Sequence, residues 1–151
     1  MNYEIVDLKE KTVVGFCART NNTSPDMGKT IGGLWQNFYM EEGYPLIKNK
    51  ADSKALGIYT DYAADEKGDY TIMVACAVTD AADISDRFTV RKIPAGSYAK
   101  FIVKGNMVTA VAEFWQELWK MNLNRTFACD FEEYQNSDCE NAEIHIYIGL
   151  K

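Results

Sequence analysis

The chain has 151 residues, of which 47% are hydrophobic and 25% charged, a composition typical of one globular domain with a sizeable core. The net charge of −6 and the absence of a basic run argue against direct binding to nucleic acid, because neutralising phosphates requires clustered Lys and Arg. The four cysteines and the single histidine lack metal-ligand spacing, and no segment resembles a secretion signal or a membrane span, so we expect a cytoplasmic domain without metal or cofactor.

The first half of the chain predicts the order β, α, β, β. Its predicted elements are a strand at residues 12–18, a helix at 27–42 and strands at 55–59 and 70–78. Residues 8–11 are predicted to form a turn before the first strand, and residues 61–68 a charged turn before the last.

The second half repeats this order. Its predicted elements are a strand over residues 88–103 that bends at Pro94 and Gly96, a helix at 107–121 and strands at 126–134 and 142–150. The helical stretch at residues 34–40 aligns with 114–120 through a shared Trp-Gln pair. In the strands, residues 55–59 lie over 128–132, which makes Tyr59 the equivalent of Glu132.

An internal repeat of about residues 1–80 and 86–151 is therefore the better interpretation, within a single domain. Neither half can bury its own sheet and helix, so the two are expected to pack about a pseudo-twofold axis. Such an axis leaves a groove between the halves, and a groove of this kind is a favoured place for a small ligand.

Short motifs in this order resemble the GyrI-like, or AraC-type effector-binding, family of small-molecule-binding domains. They are PAGxYA at residues 94–99, FExY at 131–134 and EIxIYI at 143–148, on the duplicated β-α-β-β frame. That family includes the ligand-sensing portions of multidrug-responsive bacterial transcription regulators and freestanding domains. The resemblance implies an α+β fold with an antiparallel sheet, two main helices and a central cleft that binds bulky hydrophobic cations. Where the family commonly has proline this chain has Gly149, a change expected to affect the end of an edge strand and not the site.

The FExY match assigns the cleft glutamate of the family to Glu132, and the final-strand match assigns a wall position to Tyr147. Glu132 lies in an aromatic and β-branched run, where burying an unpaired carboxylate is costly. It therefore either faces water or lies in a cavity that receives a cation, with a raised pKa when the cavity is empty. The strand period of two directs Glu133 to the opposite face.

Three further residues are candidates for the walls of the ligand site. Trp115 and Trp35 are repeat partners on the predicted helices, and Tyr59 lies on a central strand. Each ring has a simpler alternative role in the hydrophobic core, which is the common place for an aromatic residue on a helix face. The lone His145 has no nucleophile beside it in the sequence and is interpreted as an ordinary strand residue.

The resulting hypothesis is a protein that binds small hydrophobic molecules, cationic or planar aromatic, without turnover, as a monomer or dimer. The predicted elements leave no helix-turn-helix segment among these residues, so we expect any link to transcription regulation to act through a separate protein partner. The resemblance leaves two alternatives open: a hydrolase of reactive ring compounds with Glu132 as its base, and a DNA-mimicking inhibitor that binds a protein such as a topoisomerase.

Overall fold

The computed structural model describes residues 1–40, 43–65 and 67–151, and within these ranges the chain forms eight strands and two α-helices. In chain order the elements are β1 (Glu4–Leu8), β2 (Lys11–Thr20), α1 (Met27–Phe38), β3 (Ala55–Thr60), β4 (Tyr70–Val78), β5 (Thr89–Ile93), β6 (Gly96–Gly105), α2 (Met107–Leu118), β7 (Arg125–Tyr134) and β8 (Ala142–Leu150). A short 3-10 helix at Tyr44–Leu46 lies between α1 and β3.

The strands form one antiparallel sheet in the order β1-β6-β8-β7-β3-β4-β2-β5. The counterparts in the two halves are β1 and β5, β2 and β6, β3 and β7, and β4 and β8. When each strand is replaced by its counterpart, the order of the sheet is the same read from the other edge. Most equivalent elements also have equal lengths: 5 residues in β1 and β5, 10 in β2 and β6, 12 in each helix and 9 in β4 and β8. The central pair is the exception, with 6 residues in β3 and 10 in β7. The predicted α+β repeat with pseudo-twofold symmetry is confirmed, and its axis passes between β3 and β7.

Each half begins with two separate strands where the sequence predicts one: a strand at residues 12–18 after a turn in the first half, and a bent strand over 88–103 in the second. The first strand of each half crosses to the other half: β1 pairs with β6, and β5 pairs with β2. Residues 9–10 link β1 to β2 and residues 94–95 link β5 to β6. A two-residue link reaches only about 10 Å. The two margins of the sheet must therefore come close together, and the sheet curls.

Both helices pack on the same face of the sheet. Val74, Gly57, Glu132 and Ile146 lie side by side across β4, β3, β7 and β8. Val74 belongs to the core beneath α1, and Ile146 to the core beneath α2. The opposite face has its own core, which includes the fully buried Phe131. Gly57 and Glu132 thus lie at the centre of the helix-covered face, between the two helices.

Both helices are shorter than the sequence predicts. α1 ends at Phe38 and α2 at Leu118. The overestimate arises because Tyr39 and Trp119 continue the apolar spacing after the helical turns have ended. Residues 41–42 of the predicted helix and residue 66 of the predicted turn lie outside the described residues. Among the described residues, no helix has the length needed to cross a bilayer.

Candidate functional site

A cleft with a volume of ≈ 490 Å³ lies between the two helices, above β3 and β7. The helices line it with repeat partners: Met27 and Met107, Ile31 and Val111, Gly32 and Ala112, and Trp35 and Trp115. The sheet contributes Tyr59, Tyr70, Glu132 and Tyr134. A concave site with apolar and aromatic walls and few polar groups is the usual form of a small-molecule site.

Glu132 forms the floor of this cleft and is only 2% exposed. Its carboxylate accepts three hydrogen bonds: Oε2 accepts from the Tyr59 hydroxyl at 2.9 Å and from Trp115 Nε1 at 2.8 Å, and Oε1 accepts from the Tyr134 hydroxyl at 2.8 Å. All three donors are neutral. In the described part of the chain, no Lys or Arg forms an ion pair with this carboxylate.

Burial raises the pKa of Glu132 above its ordinary value of 4.5, and the three hydrogen bonds oppose that rise. Burial, together with the neighbouring Glu132 charge, raises the pKa of Tyr59 and Tyr134 well above 10 and that of Tyr70 to about 12. The tyrosines therefore remain protonated donors. When Glu132 is ionised, the floor of the cleft carries a negative charge that three hydrogen bonds stabilise and that no Lys or Arg of the described residues neutralises.

Gly57 makes room for this carboxylate. It pairs directly with Glu132 across β3 and β7. A Cβ atom at Gly57 would lie 3.0 Å from Glu132 Oε1, so the carboxylate extends over the glycine. A side chain at residue 57 would compete with the carboxylate for the same space.

The structure corrects the sequence alignment of the repeat in these strands. Trp35 contacts the Tyr134 ring edge to face, with centroids 5.0 Å apart, and its repeat partner Trp115 contacts Tyr59 in the same way at 5.1 Å. Tyr59 is therefore the equivalent of Tyr134, and Gly57 the equivalent of Glu132. The strand register thus places the equivalent residues two positions further along β7 than the sequence alignment does. We refer to Trp35 with Tyr134 and Trp115 with Tyr59 as the two aromatic pairs.

Four of the five predicted site residues meet in the cleft: Glu132, Tyr59, Trp115 and Trp35. Tyr147 does not join them. It pairs with Phe131 and stacks on that ring at 4.7 Å, on the opposite face of the sheet. This corrects the expectation that its ring faces the Glu132 cavity. Side chains alternate between the two faces along a strand. Glu132 pairs with Ile146 on the cleft face, so the neighbouring pair of Phe131 and Tyr147 points to the opposite face.

Glu133 lies on the face opposite the cleft, as the strand period predicts. Its carboxylate is close to two lysines, at 3.6 Å from Lys11 Nζ and 3.8 Å from Lys54 Nζ, and accepts from Gln135 at 2.8 Å. It is nearly as buried as Glu132, at 7% exposed, but it has cationic partners. The two adjacent glutamates can therefore be compared directly: Glu133 has cationic partners, and Glu132 has none among the described residues.

An ion pair borders the cleft. Arg125 lines the cleft and its Nη2 lies 2.7 Å from Asp130 Oδ2, which also accepts from the Tyr62 hydroxyl at 2.6 Å. Asp130 Oδ1 accepts from the backbone N–H of Gly149 at 2.8 Å. The expectation for Gly149 is thus corrected: β8 is an interior strand, and proline at this position would lack the N–H that holds Asp130.

Sequence reasoning missed several cleft residues. Tyr134 belongs to the FExY motif, and its spacing of two from Glu132 places it on the same face, so the strand period could have identified it. Tyr62, Tyr70 and Arg125 had no such signal, because loops and strand pairing bring them to the cleft. The arrangement as a whole is a concave, mostly apolar small-molecule site with a carboxylate at its floor.

A family model described as Cass2, an integron-associated effector binding protein, matches residues 4–150 of the chain. The integron cassette protein VCH_CASS2 from the mobile metagenome of Vibrio cholerae is similar in structure, with a TM-score of 0.80 and 27% identity over 99% of this chain and 95% of that chain. No curated protein matches the sequence.

Two further solved structures share the fold. SAV2435 bound to tetraphenylphosphonium has a TM-score of 0.80 and 23% identity, over 100% of this chain and 94% of that one. The EcmrR–DNA complex has a TM-score of 0.61 and 16% identity, over 99% of this chain and 58% of that chain. The effector-binding family predicted from the sequence motifs is thereby confirmed.

Proposed function

The chain belongs to the Cass2 family of integron-associated effector binding proteins, and on that premise we propose that its effector is a hydrophobic cation held in the central cleft. The observation that carries this proposal is the Glu132 carboxylate, which is buried, negatively charged when ionised and, among the described residues, hydrogen-bonded to neutral donors alone. A ligand cation is the partner that this floor lacks.

The energetics favour a large cation over a small one. Removing a charged group from water costs several kcal/mol, and the attraction of a nearby opposite charge in the apolar cleft offsets that cost. A cation above the floor also lies among the two aromatic pairs, where each ring face that it meets adds about 0.5–2 kcal/mol. Apolar groups around the charge can then cover the helix side chains, which a hydrated metal ion cannot do.

The phosphonium bound to SAV2435 illustrates this ligand class in a protein of the same fold. We therefore propose binding without turnover. The carboxylate of Glu132 has about four lone-pair positions, and neutral donors already occupy three of them, which leaves little capacity to activate a water molecule. We also propose a link to transcription regulation, which the fold shared with the DNA-bound EcmrR supports.

The test uses two ions of the same shape and opposite charge. Tetraphenylphosphonium and tetraphenylborate are titrated into the protein, with tryptophan fluorescence and calorimetry as readouts. We expect the phosphonium to bind at least about tenfold more tightly than the borate, and Glu132→Gln to remove most of that preference. Glu133→Gln is the matched control, since it neutralises an adjacent buried glutamate on the other face.

Equal affinity for the two ions would contradict the proposal. So would a charge preference that Glu132→Gln leaves intact, or that Glu133→Gln removes to the same extent. Chromatographic recovery of the unchanged phosphonium after prolonged incubation checks that the complex is one of binding alone.

A further inference from the structure

The charge in the cleft lies on the pseudo-twofold axis of the fold. Gly57 and Glu132 are equivalent positions that pair directly, so the axis passes between them. Only one of the two has a side chain, and it extends over the other position, with Oε1 3.0 Å from the place of a Gly57 Cβ. The carboxylate consequently lies near the axis and not within either half.

The apolar walls stand on both sides of this central charge. The two aromatic pairs flank the carboxylate, and one tyrosine of each pair donates to it, Tyr134 to Oε1 and Tyr59 to Oε2. The helices continue the walls with further repeat partners, such as Ile31 on α1 and Val111 on α2. Both of these side chains are partly exposed in the cleft.

This arrangement restricts where a ligand can carry its charge. A cation above the carboxylate has an apolar wall on each side, and hydrophobic binding grows with the apolar area that is covered. A molecule with its charge at the centre and an apolar arm on each side covers both walls. A molecule with its charge at one end covers one wall and leaves the other in contact with water.

We propose that the cleft selects cations whose charge is central and flanked by two aromatic or apolar arms, over isomers whose charge is terminal. The proposal rests on the proposed function and names the ligand class for the same site. The shape preference arises from the fold, because the duplicated halves supply matching walls about a single on-axis carboxylate.

The experiment compares two quaternary ammonium isomers with the same atoms. Dibenzyldimethylammonium carries its charge between two rings, whereas para-biphenylmethyl-trimethylammonium carries it at one end of two joined rings. We expect the central cation to bind about tenfold more tightly to the native chain in calorimetric titrations. Equal affinities, or a preference for the terminal cation, would overturn the proposal.

Matched substitutions on the two helices test the two-sided contact. Ile31→Ala and Val111→Ala each shorten one wall and leave Glu132 in place. Both variants are expected to lower the affinity for the central cation by a similar factor of about three to ten. The terminal cation should be sensitive to only one of them. If only one of the two variants lowers the affinity for the central cation, that cation contacts one half of the cleft alone, which contradicts the proposal.

The failure of this inference is distinguishable from failure of the proposed function. If tetraphenylphosphonium and tetraphenylborate bind alike, the carboxylate has no role and the function itself is wrong. If the phosphonium preference depends on Glu132 and the two isomers still bind equally, only the central-charge requirement is wrong.

Discussion

Glu132 differs from most buried carboxylates in proteins because its partners in the described structure are neutral. A Lys or Arg at this place would neutralise the charge permanently and would compete with a cationic ligand. Hydroxyl and indole donors stabilise the ionised carboxylate without cancelling its charge. Under the proposed function, these donors leave the charge available to a cationic ligand.

The raised pKa of Glu132 predicts opposite pH dependences for ligand binding and for stability. Between its ordinary value of 4.5 and the raised value, the folded protein holds a proton that the unfolded chain has released. The unfolding free energy contributed by this group therefore decreases as the pH rises through that window. Affinity for tetraphenylphosphonium should instead increase, by up to about tenfold per pH unit, because the proposed contact with the cation requires the ionised carboxylate.

Urea unfolding and phosphonium titration over a series of pH values measure both effects. Glu132→Gln removes this carboxyl group and leaves the other titratable groups in place. The difference in pH dependence between the native chain and the variant therefore reports on Glu132 alone. The neighbouring tyrosines stay protonated throughout because their pKa values are raised. A stability difference that grows in favour of the native chain as the pH rises would show that the sign of the shift is wrong.

Sequence patterns identify the side chains of the site better than they identify their neighbours. The motif around Glu132 located the charge, and the helix spacing located Trp35 and Trp115. Tyr147 was misplaced because the face of one strand does not reveal its register with the next. The repeat was misaligned by two residues because Gly57 has no side chain to match Glu132. Both errors concern pairing between strands, which depends on contacts distant in sequence.

The two helices of the repeat begin differently although they have the same length. Asn106 caps α2, and its side-chain oxygen accepts from Val108 N at 3.0 Å and Thr109 N at 3.2 Å. Asp26 holds the equivalent position before α1 but makes no such hydrogen bond. One helix start is thus fixed by its own cap, and the other depends on packing.

Substitution of the two capping positions should therefore have unequal effects. We expect Asn106→Ala to lower the unfolding free energy by about 1 kcal/mol, since it leaves two backbone donors of α2 without their acceptor. Asp26→Ala should change it by no more than a few tenths of a kcal/mol, about the size of a surface substitution. Urea unfolding monitored by circular dichroism measures both, and equal losses would contradict the assignment of the cap.

The elements themselves were predicted closely where local composition decides them. The bounds of β4 and β8 agree with the structure because both strands are dense in β-branched and aromatic residues with turn residues on either side. The helix ends were overestimated because an aromatic residue follows each last turn. The start of each half was predicted as one strand, since nothing local shows that β1 and β5 pair away from their own half.

At the scale of the whole molecule, strand exchange ties the halves together. The first half supplies the partner of β6 and receives β5 as the partner of β2. The central pairing of β3 with β7 joins the halves again beneath the cleft. Neither half therefore contains a complete sheet, and the cleft forms only when both are folded.

This interdependence predicts that the halves unfold in one cooperative transition. Trp35→Phe leaves Trp115 and Trp119 as fluorescent reporters of the second half, and the double substitution of those two leaves Trp35 to report on the first. In each variant, the urea midpoint from fluorescence should coincide with the midpoint from far-ultraviolet circular dichroism, which reports on the whole sheet. The comparison is made within one variant, so any loss of stability caused by the substitution cancels. A fluorescence transition in one half that precedes the dichroism transition would show that the exchanged strands do not couple the halves, and that the cleft can open by unfolding one side alone.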